Sequence, residues 1–134
     1  MKKNINVVGA IIIKEGKVFC CQRGLEKSLP GKWEFPGGKI ESGETKEQAL
    51  VREIKEELLI SVQLEEKEFA SVSFDYDFGR VNLSTFICHL ESGEPQLTEH
   101  LQSKWVSFDK LTQLDWAPAD IPIVEKLMEA GVDE

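Results

Sequence analysis

The sequence predicts an α+β fold in which a mixed β-sheet carries helices on its faces. Strand-like apolar runs occupy most of the chain and are separated by short turn signals. One segment, beginning at Thr45, has the periodicity of an amphipathic helix, and a second such segment closes the chain. Strands interleaved with two helices are best satisfied by a sheet covered on its faces.

The elements follow in order. Residues 4–13 read as a strand, Glu15-Gly16 as a turn and 17–22 as the returning strand. Residues 24–32, with Gly24, Pro30 and Gly31, read as a loop. A short aromatic strand, Trp33 to Phe35, comes next, and Pro36-Gly37-Gly38 reads as a breaker cluster. Glu41-Ser42-Gly43-Glu44 marks a turn. Thr45 is then a helix N-cap, with Gln48 as its capping-box partner. Leu50, Ile54 and Leu58 form the apolar stripe of this helix, joined by Val51, and it runs to about Leu58. Strands are expected in two pieces within 60–74, at 81–90 and at 103–107, with turns at 77–80 and 93–95. Residues 119–130 read as the last helix, with Ile121, Val124 and Leu127 apolar and Gly131 as its stop.

The chain has 134 residues and shows no repeat, low-complexity tract or linker, so 1–134 is expected as a single domain with its own core. Its net charge of −8 disfavours a nucleic-acid polymer or an anionic membrane as partner. A small phosphorylated ligand is compatible if a bound metal reverses the sign locally. A cationic ligand or a basic protein would also suit. Cys20, Cys21 and Cys88 form no metal or disulfide pattern and are expected as reduced thiols, which suits a cytoplasmic setting. In a strand, Cys20 and Cys21 point to opposite faces. The apolar N-terminal run is too short to span a bilayer and has no small-residue cleavage site after it.

The helix contains REIKEELLI at 52–60, with Glu53, Glu56 and Glu57 crowded together. At roughly 100° per residue, Glu57 falls near +40° and Glu56 near −60° of Glu53. The three acids share a sector that flanks the apolar stripe, near the rim of the sheet. Arg52 sits one turn from Glu56 and can pair with it. Such a cluster is either a solvated charged face or a hard-cation site. Carboxylate oxygens without His or Cys suit Mg²⁺ or Mn²⁺, not zinc. Three acids on one helix cannot fill an octahedral shell, so carbonyls, water and substrate phosphates would complete it.

The run-up to the helix favours the cation. From Gly38 the chain reads GKIESGETKEQALVREIKEELLI: Gly38, five residues, Glu44, seven residues, Arg52-Glu53, an apolar residue, one more, then Glu56-Glu57. This resembles the box of the Nudix hydrolase family, with six of its seven fixed residues and both apolar positions present. Leu59 stands where the box has Gly, the usual left-handed helix stop. A leucine there costs about 1–2 kcal/mol, so the helix end is expected to be remodelled, running on slightly. The resemblance extends to Arg23, to WEFPGGKIE at 33–41, to Glu99 six residues before Trp105, and to DWAPADIP at 115–122. Over this length the chain is similar to the MutT-like branch.

The resemblance implies a Nudix-type α/β/α sandwich around a mixed sheet. It implies metal-dependent attack of water on a nucleoside triphosphate, releasing monophosphate and pyrophosphate, with 8-oxo-dGTP or CTP-like pyrimidines as rival substrates. Glu53, Glu56 and Glu57 would hold Mg²⁺, or Mn²⁺ in its place, with the carbonyl of Gly37 or Gly38. Arg52 would align the acids. Glu44 would meet metal through water or orient the acids; otherwise it is a helix-dipole partner. Glu53 and Glu99 are the candidate general bases, although Glu99 also reads as a solvated loop acid. Arg23 would touch phosphate or base, or is surface charge. Asp120 falls at the base-reading position, or caps the last helix. There an ionised Asp accepts from the amine of cytosine, and a protonated one also donates and can read an oxidised purine. Phe35 and Trp116 would flank the base, or are core. Monomer and homodimer both remain compatible. The alternatives are a Nudix hydrolase of a sugar nucleotide, a dinucleoside polyphosphate or an RNA 5′ end, and a non-catalytic sensor. A sensor is disfavoured because sensors usually lose box acids and all are retained here.

Overall fold

A computed structural model of the chain describes residues 3–130. The first strand, β1 (Asn4–Lys14), turns at Glu15-Gly16 into β2 (Lys17–Gln22). Two short strands follow, β3 (Trp33–Glu34) and β4 (Gly37–Lys39), then the helix α1 (Lys46–Leu58). Beyond it come β5 (Ser61–Leu64), β6 (Ala70–Tyr76), β7 (Gly79–Ser92) and β8 (Gln102–Ser107). Two 3₁₀ segments, Phe108–Gln113 and Pro118–Asp120, lead into α2 (Ile121–Ala130).

The sheet is mixed. Its central pair, β1 and β7, is parallel from Asn4↔Arg80 to Ile13↔His89. The other pairings are antiparallel: β2 and β4 on β1, β5 and β6 on β7, and β3 and β8 on β2. Strand β1 is almost continuously apolar because both its faces are covered. Val8, Ala10 and Ile12 pack with Ala49, Leu50, Ile54 and Leu58 of α1. Ile11 and Ile13 face the opposite way, toward Ile123, Val124 and Leu127 of α2. Cys20 and Cys21 divide between the same two clusters, and all three cysteines are free and buried. The result is the expected layering, one helix on each face of the sheet.

Local chemistry sets both ends of α1. The Thr45 hydroxyl accepts from the Gln48 amide, and the Gln48 side chain accepts from the Thr45 amide, which closes the capping box. Four residues of its inner face are fully buried, and each buried Leu or Ile contributes roughly 1.5–3 kcal/mol. Ala49 belongs to that face, whereas Val51, expected in the stripe, is 41% exposed. The buried face is therefore Ala49, Leu50, Ile54 and Leu58, with Ala49 in the place expected of Val51.

At the C-terminus the helix does not run on. Leu59 takes the left-handed conformation itself, at φ 58 and ψ 35, with its amide donating to Lys55 O. The sequence departs from the box there, but the backbone does not. Leu59→Gly is accordingly expected to stabilise the fold by about 1 kcal/mol, read as a shift of the urea midpoint at unchanged slope.

Two further expectations are corrected. Gly37-Gly38 does not break the chain: it pairs with Val8 and Gly9 as β4. In α2 the buried positions are Ile123, Val124 and Leu127, while Ile121 is 42% exposed. Val124 and Leu127 are buried as expected, and Ile123 takes the inward place expected of Ile121, which follows the 3₁₀ turn at Pro118–Asp120. Gly131, expected as its stop, lies outside the described residues. Among the described residues no helix is long and apolar enough to cross a membrane.

Candidate active site

Strand β4 and helix α1 meet edge-on at a cavity of about 410 Å³, which opens between the sheet and the loops after β2 and β7. Glycine is required in β4 for this meeting. A Cβ on Gly38 would coincide with the Glu53 carboxylate, and one on Gly37 would strike the Val8 carbonyl across the ladder. Two adjacent residues without side chains let β4 pair with β1 on one side and admit a carboxylate on the other.

Arg52 organises the acids. Its Nε and Nη2 donate to Glu44 at 2.6 and 2.9 Å, and Nη1 reaches Glu53 at 3.0 Å and Glu56 at 3.3 Å. Nη2 also donates to Lys39 O, which ties the guanidinium to β4. Glu44 accepts the Glu41 amide as well. These bonds, the Arg52 pair above all, hold its carboxyl down at about 2. The structure thus brings Glu44 onto Arg52, bidentately, in the geometry that best suits a carboxylate.

Glu57 is the most perturbed acid of the helix. Burial pushes its carboxyl up to about 8, with Glu34, Glu53 and Glu99 adding repulsion and the Gly37 amide offsetting a little. Its Oε1 is buried without a hydrogen-bond partner. Glu53 is also raised, by burial first, while Arg52 draws it back. Glu56 is the exposed member of the trio, 62% open at its side chain. Among the described residues no three His, Cys, Asp or Glu side chains already converge on one point, and Arg52 contacts both Glu53 and Glu56.

The same cavity gathers residues far apart in sequence. Phe35 and Asp120 lie at its floor, and Glu34, Arg23, Glu99 and His100 along its wall. Asp120 is buried, and its Oδ1 accepts the Phe35 amide at 3.3 Å. Burial, with Glu34 nearby, pushes this carboxyl well above the ordinary aspartate range. It sits in the 3₁₀ turn that precedes α2, and its contact is with the Phe35 amide just after β3 rather than with the helix N-terminus. Trp116 takes the core alternative: its ring packs against Phe35, centroids 4.9 Å apart, and its indole donates to Leu111 O at 2.7 Å. It supports the cavity wall and does not line it. Arg23 donates to Ser28 O, Ser28 Oγ and Glu34. Glu99 is half-exposed at the mouth and pairs with Lys27 at 3.4 Å.

Sequence reasoning missed Glu34, His100, Tyr76 and Lys27. Glu34 bonds Arg23 at 2.8 Å and His100 Nε2 at 3.0 Å. Tyr76 accepts the Ala119 amide at its hydroxyl and stacks on Phe78 over the cavity. Glu34 was legible as the polar residue between two aromatics of the WEFPGG run. The other three carry no local signal.

Comparison with known proteins agrees with this geometry. Residues 3–127 match the model of the NUDIX domain. The chain is 39% identical over 126 residues to a CTP pyrophosphohydrolase of Escherichia coli K12, covering 94% of this chain and 93% of that one. It is 35% identical to an 8-oxo-dGTP diphosphatase of the same organism, covering 95% and 98%. The solution structure of a MutT protein from methicillin-resistant Staphylococcus aureus 252 superposes with a TM-score of 0.80 at 49% identity, covering 98% and 100%. The described fold, the acidic helix and these matches place the chain in the Nudix family, as a hydrolase of phosphoanhydride bonds.

Proposed function

We propose that the protein is a Mg²⁺-dependent nucleoside triphosphate pyrophosphohydrolase that yields a nucleoside monophosphate and pyrophosphate. The observation that carries this is the pairing of a buried, partnerless Glu57 oxygen with a glycine cradle beneath Glu53, beside a cavity of nucleotide size. The donor set is all oxygen, which suits a hard divalent cation. Glu53, Glu56 and Glu57 would hold Mg²⁺, or Mn²⁺, with a carbonyl of Gly37 or Gly38. When bound, the ion neutralises phosphate charge and lowers the pKa of water.

The chain's own residues do the rest. Arg52, fixed by Glu44, keeps the carboxylates apart and aimed. Glu53 or Glu99 takes the proton of the attacking water. The new P–O bond forms as the bridging P–O bond breaks, and pyrophosphate departs. The buried, free cysteines suit a cytoplasmic enzyme.

Asp120 reads the base. Burial pushes its carboxyl upward, and in the protonated form it would offer one O–H donor beside an acceptor oxygen. That pair matches the N4 amine and N3 of cytosine. It also matches the N7–H and O6 of 8-oxoguanine, an edge on which guanine offers only the N7 and O6 acceptors. CTP-like and 8-oxo-dGTP substrates therefore share one recognition device. Asp120→Leu is expected to lower the preference for 8-oxo-dGTP over dGTP by at least about tenfold, while Asp120→Asn, which keeps a donor and an acceptor, retains it. Steady-state kcat/KM values on the two nucleotides decide this, and an unchanged preference in the leucine variant removes Asp120 from base recognition.

A further inference from the structure

The loop between β2 and β3 is built as a rigid platform, and Arg23 builds it. The Arg23 amide and carbonyl bond Lys32 and Gly31, and its guanidinium donates to Ser28 O at 2.6 Å and Ser28 Oγ at 3.0 Å. Lys27 N donates to Gly24 O, and Gln22 Nε2 reaches Gly31 O. Three of the five Arg23 N–H donors are thus committed, two to its own loop and one to Glu34. Arg23, expected at phosphate or base or as surface charge, lines the cavity and commits three donors to the loop and Glu34.

What the platform presents to the cavity is Lys27. Its ammonium has three donors, and among the described residues its sole hydrogen-bond partner is Glu99 Oε1, at 3.4 Å. Both side chains are about half exposed, 46% and 48%, so the contact is long, solvated and weak. Lys27 and Glu99 lie on facing loops across the mouth of the cavity that Gly38 and Glu57 also line. A cation on a stiff loop, loosely held by an acid beside the metal-site carboxylates, suits capture of an incoming polyphosphate.

We infer that Lys27 is a phosphate-binding residue, and that its pair with Glu99 is a resting contact that the substrate's polyphosphate chain replaces. This rests on the pyrophosphohydrolase reading and deepens it. A polyphosphate offers the ammonium several charged acceptor oxygens, where Glu99 offers one contact at 3.4 Å. Exchange of partners places Lys27 on the phosphates and leaves the Glu99 carboxylate free beside them. Substrate binding itself would then release a candidate base.

The test uses the full chain with Mg²⁺ and CTP, with inorganic pyrophosphate and CMP as competing inhibitors. Lys27→Met is expected to raise KM for CTP and the inhibition constant of pyrophosphate roughly tenfold. The inhibition constant of CMP should move much less, and Lys27→Arg should restore most of the loss. A structural tether between loops would not distinguish pyrophosphate from CMP. Equal effects on both inhibitors, an unchanged KM, or a fall in kcat alone with a lowered melting temperature would overturn the inference. If the parent protein hydrolyses no nucleoside triphosphate, the functional reading fails first and Lys27 falls with it. If the parent turns over and the variant matches it, Lys27 alone is wrong.

Discussion

Replacing Glu57 by glutamine is expected to lower metal-supported hydrolysis on the order of 10³-fold and, at alkaline pH, to stabilise the metal-free protein. Both effects come from one carboxylate. It is buried, one oxygen has no partner, and three other acids face it. Its folded-state value of about 8 stands above the ordinary 4.5. The folded chain therefore holds a proton that the unfolded chain has released between those two values. Stability from this group is fully present below about 4.5 and is lost as pH rises toward about 8, beyond which the cost stays constant. Glutamine removes that slope because it does not ionise. Melting curves in chelator from pH 5 to pH 9 should show the parent declining and Glu57→Gln nearly flat by comparison. Metal should raise the parent's melting temperature at neutral pH and leave the variant's unchanged. A variant that still gains stability from Mg²⁺ would remove Glu57 from the metal site.

Gly37→Ala and Gly38→Ala, one residue apart, are expected to fail in different ways. At Gly38 the added methyl meets the Glu53 carboxylate, the far end of a flexible side chain. The carboxylate moves aside, the fold survives, and turnover falls by about 10²-fold because displacements near 1 Å cost that much. At Gly37 the methyl meets the Val8 carbonyl, part of the β1 backbone, which has nowhere to go without breaking the ladder. The expected result is a loss of roughly 3 kcal/mol or more of stability. Urea unfolding and kcat separate the two outcomes. If Gly38→Ala were fully active, the approach of Glu53 to β4 would have no part in catalysis.

The local devices of this fold were legible in the sequence, and the long-range ones were not. The capping box of Thr45 and Gln48, the inner face of α1 and the sector shared by Glu53, Glu56 and Glu57 all follow from spacing within a few residues. Strand β4 was hidden because Gly-Gly signals a break, whereas here it answers the close approach of Val8 and Glu53. The backbone at Leu59 was misjudged for the opposite reason. A side chain that disfavours a conformation does not prevent it when the helix end, β5 and the buried Ile60 require the chain to turn there. His100 and Glu34 meet across 66 residues, and no periodicity reports such a contact. Asp120 was legible as a candidate, but its burial and the upward push on its carboxyl come from the enclosing fold, with Glu34 adding to it.

The acidic helix is proposed to support metal-dependent cleavage of a nucleoside triphosphate into monophosphate and pyrophosphate. Phosphorus NMR of product mixtures from CTP and 8-oxo-dGTP, with Mg²⁺ and with chelator, tests it most directly. Monophosphate and pyrophosphate are expected in equal amounts, formed with Mg²⁺ and absent with chelator. Orthophosphate with a nucleoside diphosphate, turnover that persists in chelator, or no turnover of either nucleotide while metal is bound would contradict it.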